Sequence, residues 1–171
     1  MASATKKIRR RRDAGELVVE QTRDLVGVAT MLSAAGMLAD GVEAPGGCYL
    51  IAYVGDVVAG VVGIEARVDA ALIRSLMVID GMRRRRIGTA LLAAARTAAH
   101  TRGARTLYAI APDGDSASYF ARFGFMPVST EKMTAALAGT FMADYLRHHA
   151  KEFARLRTLS LDIANDGVIQ R

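Results

Sequence analysis

Arg83-Arg84-Arg85-Arg86-Ile87-Gly88-Thr89-Ala90-Leu91-Leu92 joins a β-forming run to a strong helix. Upstream, Ala71-Leu72-Ile73-Arg74-Ser75-Leu76-Met77-Val78-Ile79 has the composition of a strand. Downstream, Gly88 to His100 holds almost nothing but helix formers with apolar residues at helical spacing, and Gly103 stops it. Four arginines thus crowd a helix N-terminus, where the backbone dipole already places partial positive charge and favours acids. A phosphate-bearing ligand would offset that repulsion, because the free N–H groups of the turn point outward and guanidinium forks match phosphate oxygens. The competing reading is four side chains splayed into solvent. The stretch lacks the Lys-Ser/Thr pair of a Walker loop and the three glycines of a dinucleotide-binding turn.

Working outward, Leu17 to Thr22 reads as a first strand, and a helical pattern begins at Asp24, with Leu25, Val28, Ala29 and Leu32 on one face and an end near Gly36. Cys48–Val54 and Val57–Ala66, joined by Gly55-Asp56, predict a hairpin. The strand through Ala71–Ile79 extends it to a three-stranded antiparallel meander. Arg105 to Ile110 is a strand again, so strand, helix and strand imply a parallel crossover. Ser116–Phe123 reads as a short helix closed by Gly124, and Phe125–Val128 as extended chain. Glu131 to about Glu152, with Met133, Leu137, Phe141 and Tyr145 four residues apart, predicts one amphipathic helix that packs on the body or on a second copy in a homodimer. Thr158–Ile163 supplies a last strand. The order gives an α/β (α+β) fold.

The chain has 171 residues, enough for one domain, expected over residues 16–164 between a basic flexible arm (1–15) and a frayed tail (165–171). Six of the 23 basic residues, Lys6, Lys7 and Arg9 to Arg12, lie in that arm, and the remaining 17 balance the 17 acidic ones. The excess charge therefore belongs to the arm, as a solvated tail or electrostatic tether, and nucleic acid is not the expected partner of the body. Apolar residues make up 51%, yet no apolar run reaches the length of a membrane helix. A single Cys48 excludes an internal disulfide, and no secretory signal is evident, so the cytoplasm is the expected compartment.

On these residues the sequence resembles the GCN5-related N-acetyltransferase (GNAT) superfamily. Its Gln/Arg-x-x-Gly-x-Gly/Ala loop aligns with Arg83 to Gly88, with Arg86 in place of the first glycine. Ala117-Ser118-Tyr119-Phe120-Ala121-Arg122-Phe123-Gly124-Phe125 is similar to the family's A-x-x-x-Y-x-x-x-G-F helix, and the likeness runs from about Leu17 to Val128. It implies a mixed, mostly antiparallel central sheet, splayed between its fourth and fifth strands and flanked by helices. It also implies acetyl-coenzyme A as cosubstrate and no metal, with an amine as acceptor. Backbone groups of Leu76, Met77 and Val78 would hold the pantetheine arm, with the Val78 N–H as oxyanion donor. The pyrophosphate would lie on the N–H groups of Arg84 to Thr89, Ile87 and Gly88 included, among the side chains of Arg83, Arg84, Arg85 and Arg86.

The family's usual general-base Glu falls at Leu72, and its general-acid Tyr at Phe120. Tyr119 is a candidate acid, although one residue turns a helix by about 100° and makes packing the competing role. Direct attack in a ternary complex is expected, because nothing around Cys48 suggests an activated thiol. Strand alternation places Arg74 on one face with Leu72 and Leu76, where an arginine needs an anion. The sequence looks like the subgroup of arsenic-resistance N-acetyltransferases and short N-acetylglutamate synthases, which implies a small acidic amino-acid-like acceptor clamped by Arg74. Internal pairing of Arg74 with Glu65 or Glu43 competes with that clamp. A catalytically silent coenzyme A-binding protein and a nucleic-acid or ribosome-associated module remain the alternative functions. His100, His148 and His149 lack metal-ligand spacing, Glu65 reads as a solvated strand-edge residue or a distant base acting through water, and the eight methionines read as core fillers.

Overall fold

The computed structural model describes residue 13 and residues 15–165. The expected arm and tail fall almost wholly outside them. Among the described residues are seven strands: β1 (Leu17–Thr22), β2 (Gly47–Val54), β3 (Val57–Arg67), β4 (Ala70–Val78), β5 (Thr106–Ala111), β6 (Met126–Pro127) and β7 (Arg157–Asp162). They form one sheet in the order β1-β2-β3-β4-β5-β7-β6, antiparallel except where β4 meets β5. Five helices accompany it: α1 (Leu25–Ala34), α2 (Ile87–Thr101), α3 (Gly114–Ala121), α4 (Thr130–Ala136) and α5 (Phe141–His148). No described helix is long and apolar enough to cross a membrane.

The strand alternation of the sequence sorts the core onto two faces of the sheet. Leu50, Ala52, Ile64, Ala71 and Ile73 meet Leu91, Leu92 and Ala95 of α2 on one face, together with Phe120 of α3. On the other face, Tyr49, Ile51 and Val61 pack under α1, and Leu72 and Tyr108 pack under Met133, Leu137 and Met142 of α4 and α5. The apolar face of α4 and α5 is thus covered by the chain's own sheet.

The single helix expected over Glu131–Glu152 is corrected to two. Gly139 takes φ +86°, which a helix interior does not allow, and Thr140 then caps a new helix by accepting from the Ala143 N–H at 3.2 Å. Four-residue spacing persists across the break because both helices lay their apolar sides on the same sheet. The i, i+4 pattern alone could not reveal the interruption.

Candidate active site

The site starts from a fault in β4. Val61 pairs with Met77 but Gly63 pairs with Arg74, so β4 carries an extra residue opposite Val62, and Ser75 absorbs it at φ +58°. A bulge of this kind reverses the side-chain alternation beyond it. Leu72 stays under α4 and α5, whereas Leu76 and Val78 turn to the α2 face and Met77 to the face of Tyr49 and Ile51. The expectation that Leu72, Arg74 and Leu76 share a face is corrected here for Leu76.

At the same level the sheet opens. β4 pairs with β5 only from Ala70 to Ile73, opposite Thr106 to Ala109, and the two strands then part. Ile79 N–H donates to Ala59 O at 2.9 Å, which makes Gly60 and Val78 a non-hydrogen-bonded pair. The Val78 N–H consequently points away from β3, toward the side that β5 has left. A cleft of about 1460 Å³ runs through this region, walled by Ile73 to Ile79 on one side and by Ile110, Pro112, Ser116 and Tyr119 on the other.

The arginine turn lies at the mouth of the cleft, where Arg83, Arg84 and Arg86 line it with Ile87, Gly88 and Thr89. Arg84 and Arg86 both take left-handed φ, +63° and +61°, so Arg86, which stands at a glycine of the resembling motif, holds a conformation that glycine adopts without strain. Asp24, Asp113, Ser129 and Thr140 each cap a helix with a side-chain oxygen, but Arg86 at the head of α2 offers none. The first bond of α2 is Ala90 N–H to Arg86 O, and the N–H groups ahead of it remain open to a ligand. Arg83 meets Asp80 at 3.0 Å in an exposed pair, and Arg85 turns back to the Met82 sulfur.

Gly88 permits the close meeting of three elements. A Cβ there would stand 2.9 Å from Tyr119 Oη and 3.6 Å from Val78 Cγ2. The Tyr119 hydroxyl is buried at this contact with no hydrogen-bond partner. Burial pushes its pKa up; Thr89 and Arg122 draw it part of the way back, Thr89 without reaching hydrogen-bond geometry. The phenol therefore holds its proton throughout the neutral range. Phe120, at the family's acid position, is buried in the α2-side core, and Leu72, at its base position, is sealed beneath α4 and α5.

Arg74 has found its anion inside the protein. Its Nη1 donates to Glu65 Oε1 at 2.5 Å and to Gly41 O at 3.3 Å, and its Nη2 to Asp40 O at 2.6 Å. Glu65 is 1% exposed, and its second oxygen accepts from the Met142 N–H at 3.0 Å. Glu65 is therefore neither solvated nor free to act as a base, which corrects both readings of it. The pair ties the loop after α1 to the start of α5 across the sheet. Sequence reasoning missed two further walls of the cleft, the segment from Met31 to Leu38 and the trio Met142, Phe153 and Leu156. Burial pushes the Cys48 thiol up, against a smaller pull from Arg102, so this thiol is no ready nucleophile. Among the described residues no cluster of His, Cys, Asp or Glu could hold a metal ion.

A search of curated proteins finds no match. The N-acetylglutamate synthase from Neisseria gonorrhoeae, solved with coenzyme A and N-acetylglutamate, aligns with TM-score 0.64 and 16% identity over 86% of this chain and 35% of that one, so the chain spans about a third of its length. A GNAT-family acetyltransferase from Staphylococcus aureus Mu50 aligns with TM-score 0.63 and 15% identity, covering 86% of this chain and 99% of that one. A Bacillus subtilis acetyltransferase in complex with coenzyme A gives 0.62 and 16%, covering 86% and 99%. At these identities the likenesses establish the fold. The family model of the GNAT acetyltransferases matches residues 33–125, which include the bulged strand, the arginine turn and Tyr119. With more than half of its length matched, the chain belongs to the acetyltransferase (GNAT) family.

Proposed function

We propose that the protein transfers an acetyl group from acetyl-coenzyme A to a primary amine, by direct attack in a ternary complex. The observation that carries this reading is the gap beside β4, which receives the Val78 N–H at one level and opens onto the uncapped head of α2 at its mouth. Acetyl-coenzyme A supplies a thioester carbonyl that a neutral amine attacks, giving an amide and a free thiol. The residues present suit it. Open N–H groups from Ile87 to Thr89 and the side chains of Arg83, Arg84 and Arg86 would hold the pyrophosphate. Leu76, Met77 and Val78 would line the pantetheine arm, and the Val78 N–H would donate to the oxygen on which negative charge grows.

Tyr119, on the wall of this gap, could deliver a proton to the departing sulfur, because its hydroxyl lies at Gly88 without a competing partner. Glu65 is fully engaged and does not replace the missing base; among the described residues the carboxylates that line the cleft, Asp80 and Asp115, lie beside the arginine turn and in α3. Proximity and orientation are then left to supply most of the rate. The acidic acceptor expected from Arg74 loses its support here, because Glu65, Asp40 O and Gly41 O already occupy that guanidinium. A thiol-release assay with acetyl-coenzyme A and a broad amine panel tests the proposal: amine-dependent thiol release is expected, and its absence with every amine would overturn it.

A further inference from the structure

On the sheet face opposite α2, the cleft is walled by Met31, Met37, Leu38, Met142, Phe153 and Leu156. These residues come from two separate parts of the chain, the end of α1 with the segment after it and the stretch from α5 to β7, which the Arg74–Glu65 pair ties together. Among the described residues, the charged ones lining the cleft are Asp80, Arg83, Arg84 and Arg86 at the arginine turn, Asp115 and Arg122 in α3 and at its end, and Arg74. Arg74 lines this part of the cleft, but its two terminal nitrogens are spent on Glu65 and the two carbonyls, and its unpartnered Nε is buried. A carboxylate brought here would be desolvated with no free cation among the described residues to meet it, which is costly.

Resting on the acetyltransferase reading, we infer that the acceptor is a small primary amine with an apolar aliphatic or aromatic body and no carboxylate. The same lining accounts for the missing base. Apolar surroundings disfavour an ammonium ion, so burial of the acceptor shifts its nitrogen toward the neutral, nucleophilic form. The pocket thereby supplies by desolvation part of what a carboxylate supplies elsewhere. Methionine-rich walls adapt their shape to the body they hold.

The test is a matched series on the full chain: propylamine, butylamine, pentylamine, hexylamine and phenethylamine against glutamate, aspartate and putrescine, with acetyl-coenzyme A binding measured separately by calorimetry. We expect kcat/KM to rise about fourfold per added methylene until the pocket is filled, with the acidic amino acids at least about tenfold below hexylamine. Leu38→Asp should erase the chain-length trend while the Kd for acetyl-coenzyme A stays unchanged, and Phe153→Asp should do the same if Leu38→Asp fails to fold. Preference for glutamate, or a flat response to chain length with acetyl-coenzyme A bound normally, overturns the apolar-acceptor inference and leaves the acetyltransferase reading standing. Failure to bind acetyl-coenzyme A overturns both.

Discussion

The two halves of β4 share one strand and do opposite work. From Ala70 to Ile73 the chain is paired on both sides, fully buried, and alternates as its sequence predicts. From Arg74 to Val78 it carries a bulge, loses its β5 neighbour, and becomes the wall of a cleft. The first half stores stability, and the second gives up pairing with β5 and leaves the Val78 N–H facing the cleft, where the proposed cosubstrate would meet it. The polar knot at their junction, Arg74 with Glu65, holds the elements around the opening.

Breaking that junction should have the largest effect. Glu65→Ala leaves a buried guanidinium unpaired and should cost about 3–5 kcal/mol in urea unfolding, whereas the double change Glu65→Leu with Arg74→Met should recover most of it. A small loss in the single variant would mean that the pair is not needed at the junction. In the second half, Tyr119→Phe should lower kcat about 100-fold with little loss of stability, since the hydroxyl it removes has no partner. The pH profile gives the sign. The raised pKa keeps the acid protonated at neutral pH, so wild-type activity should fall only as pH climbs past the ordinary tyrosine range, and the variant should lack that alkaline limb. Unchanged kcat would return Tyr119 to packing alone.

Gly88→Ala should weaken acetyl-coenzyme A binding by about tenfold, because its methyl meets Tyr119 Oη, and adding Tyr119→Phe should restore part of the binding that the hydroxyl obstructs. The smallest effect concerns the turn itself. Arg86→Val places a β-branched residue at φ +61° and should destabilise by about 1–2 kcal/mol, while Arg86→Gly should be neutral or stabilising in thermal unfolding. Equal midpoints for the two would show that the left-handed turn is not held in solution.

Legibility in the sequence follows the same division. Strand and helix periods are local, so β1 was readable from Leu17 to Thr22 and α2 from its helix formers to its end before Gly103. The arginine turn was readable too, because four like charges at a helix start conflict with the dipole and call for an anion. The bulge at Ser75 was not. It is set by the register against β3 and has no local mark, and it turned Leu76 to the face opposite the one alternation gives. Glu65 looked like a solvated edge residue for the same reason: its partners, Arg74 and the Met142 N–H, lie on β4 and α5. The break at Gly139 carried a glycine as a local sign, but the apolar spacing on either side concealed it.

Calorimetric titration of acetyl-coenzyme A into the wild type and into the triple variant Arg83→Ala/Arg84→Ala/Arg86→Ala tests the central claim most directly. If the turn holds the pyrophosphate, the wild type binds saturably one to one, weakened by salt, and the variant binds at least about tenfold more weakly with an unchanged unfolding midpoint. Absence of binding to the wild type, or equal affinity in the two proteins, would contradict it.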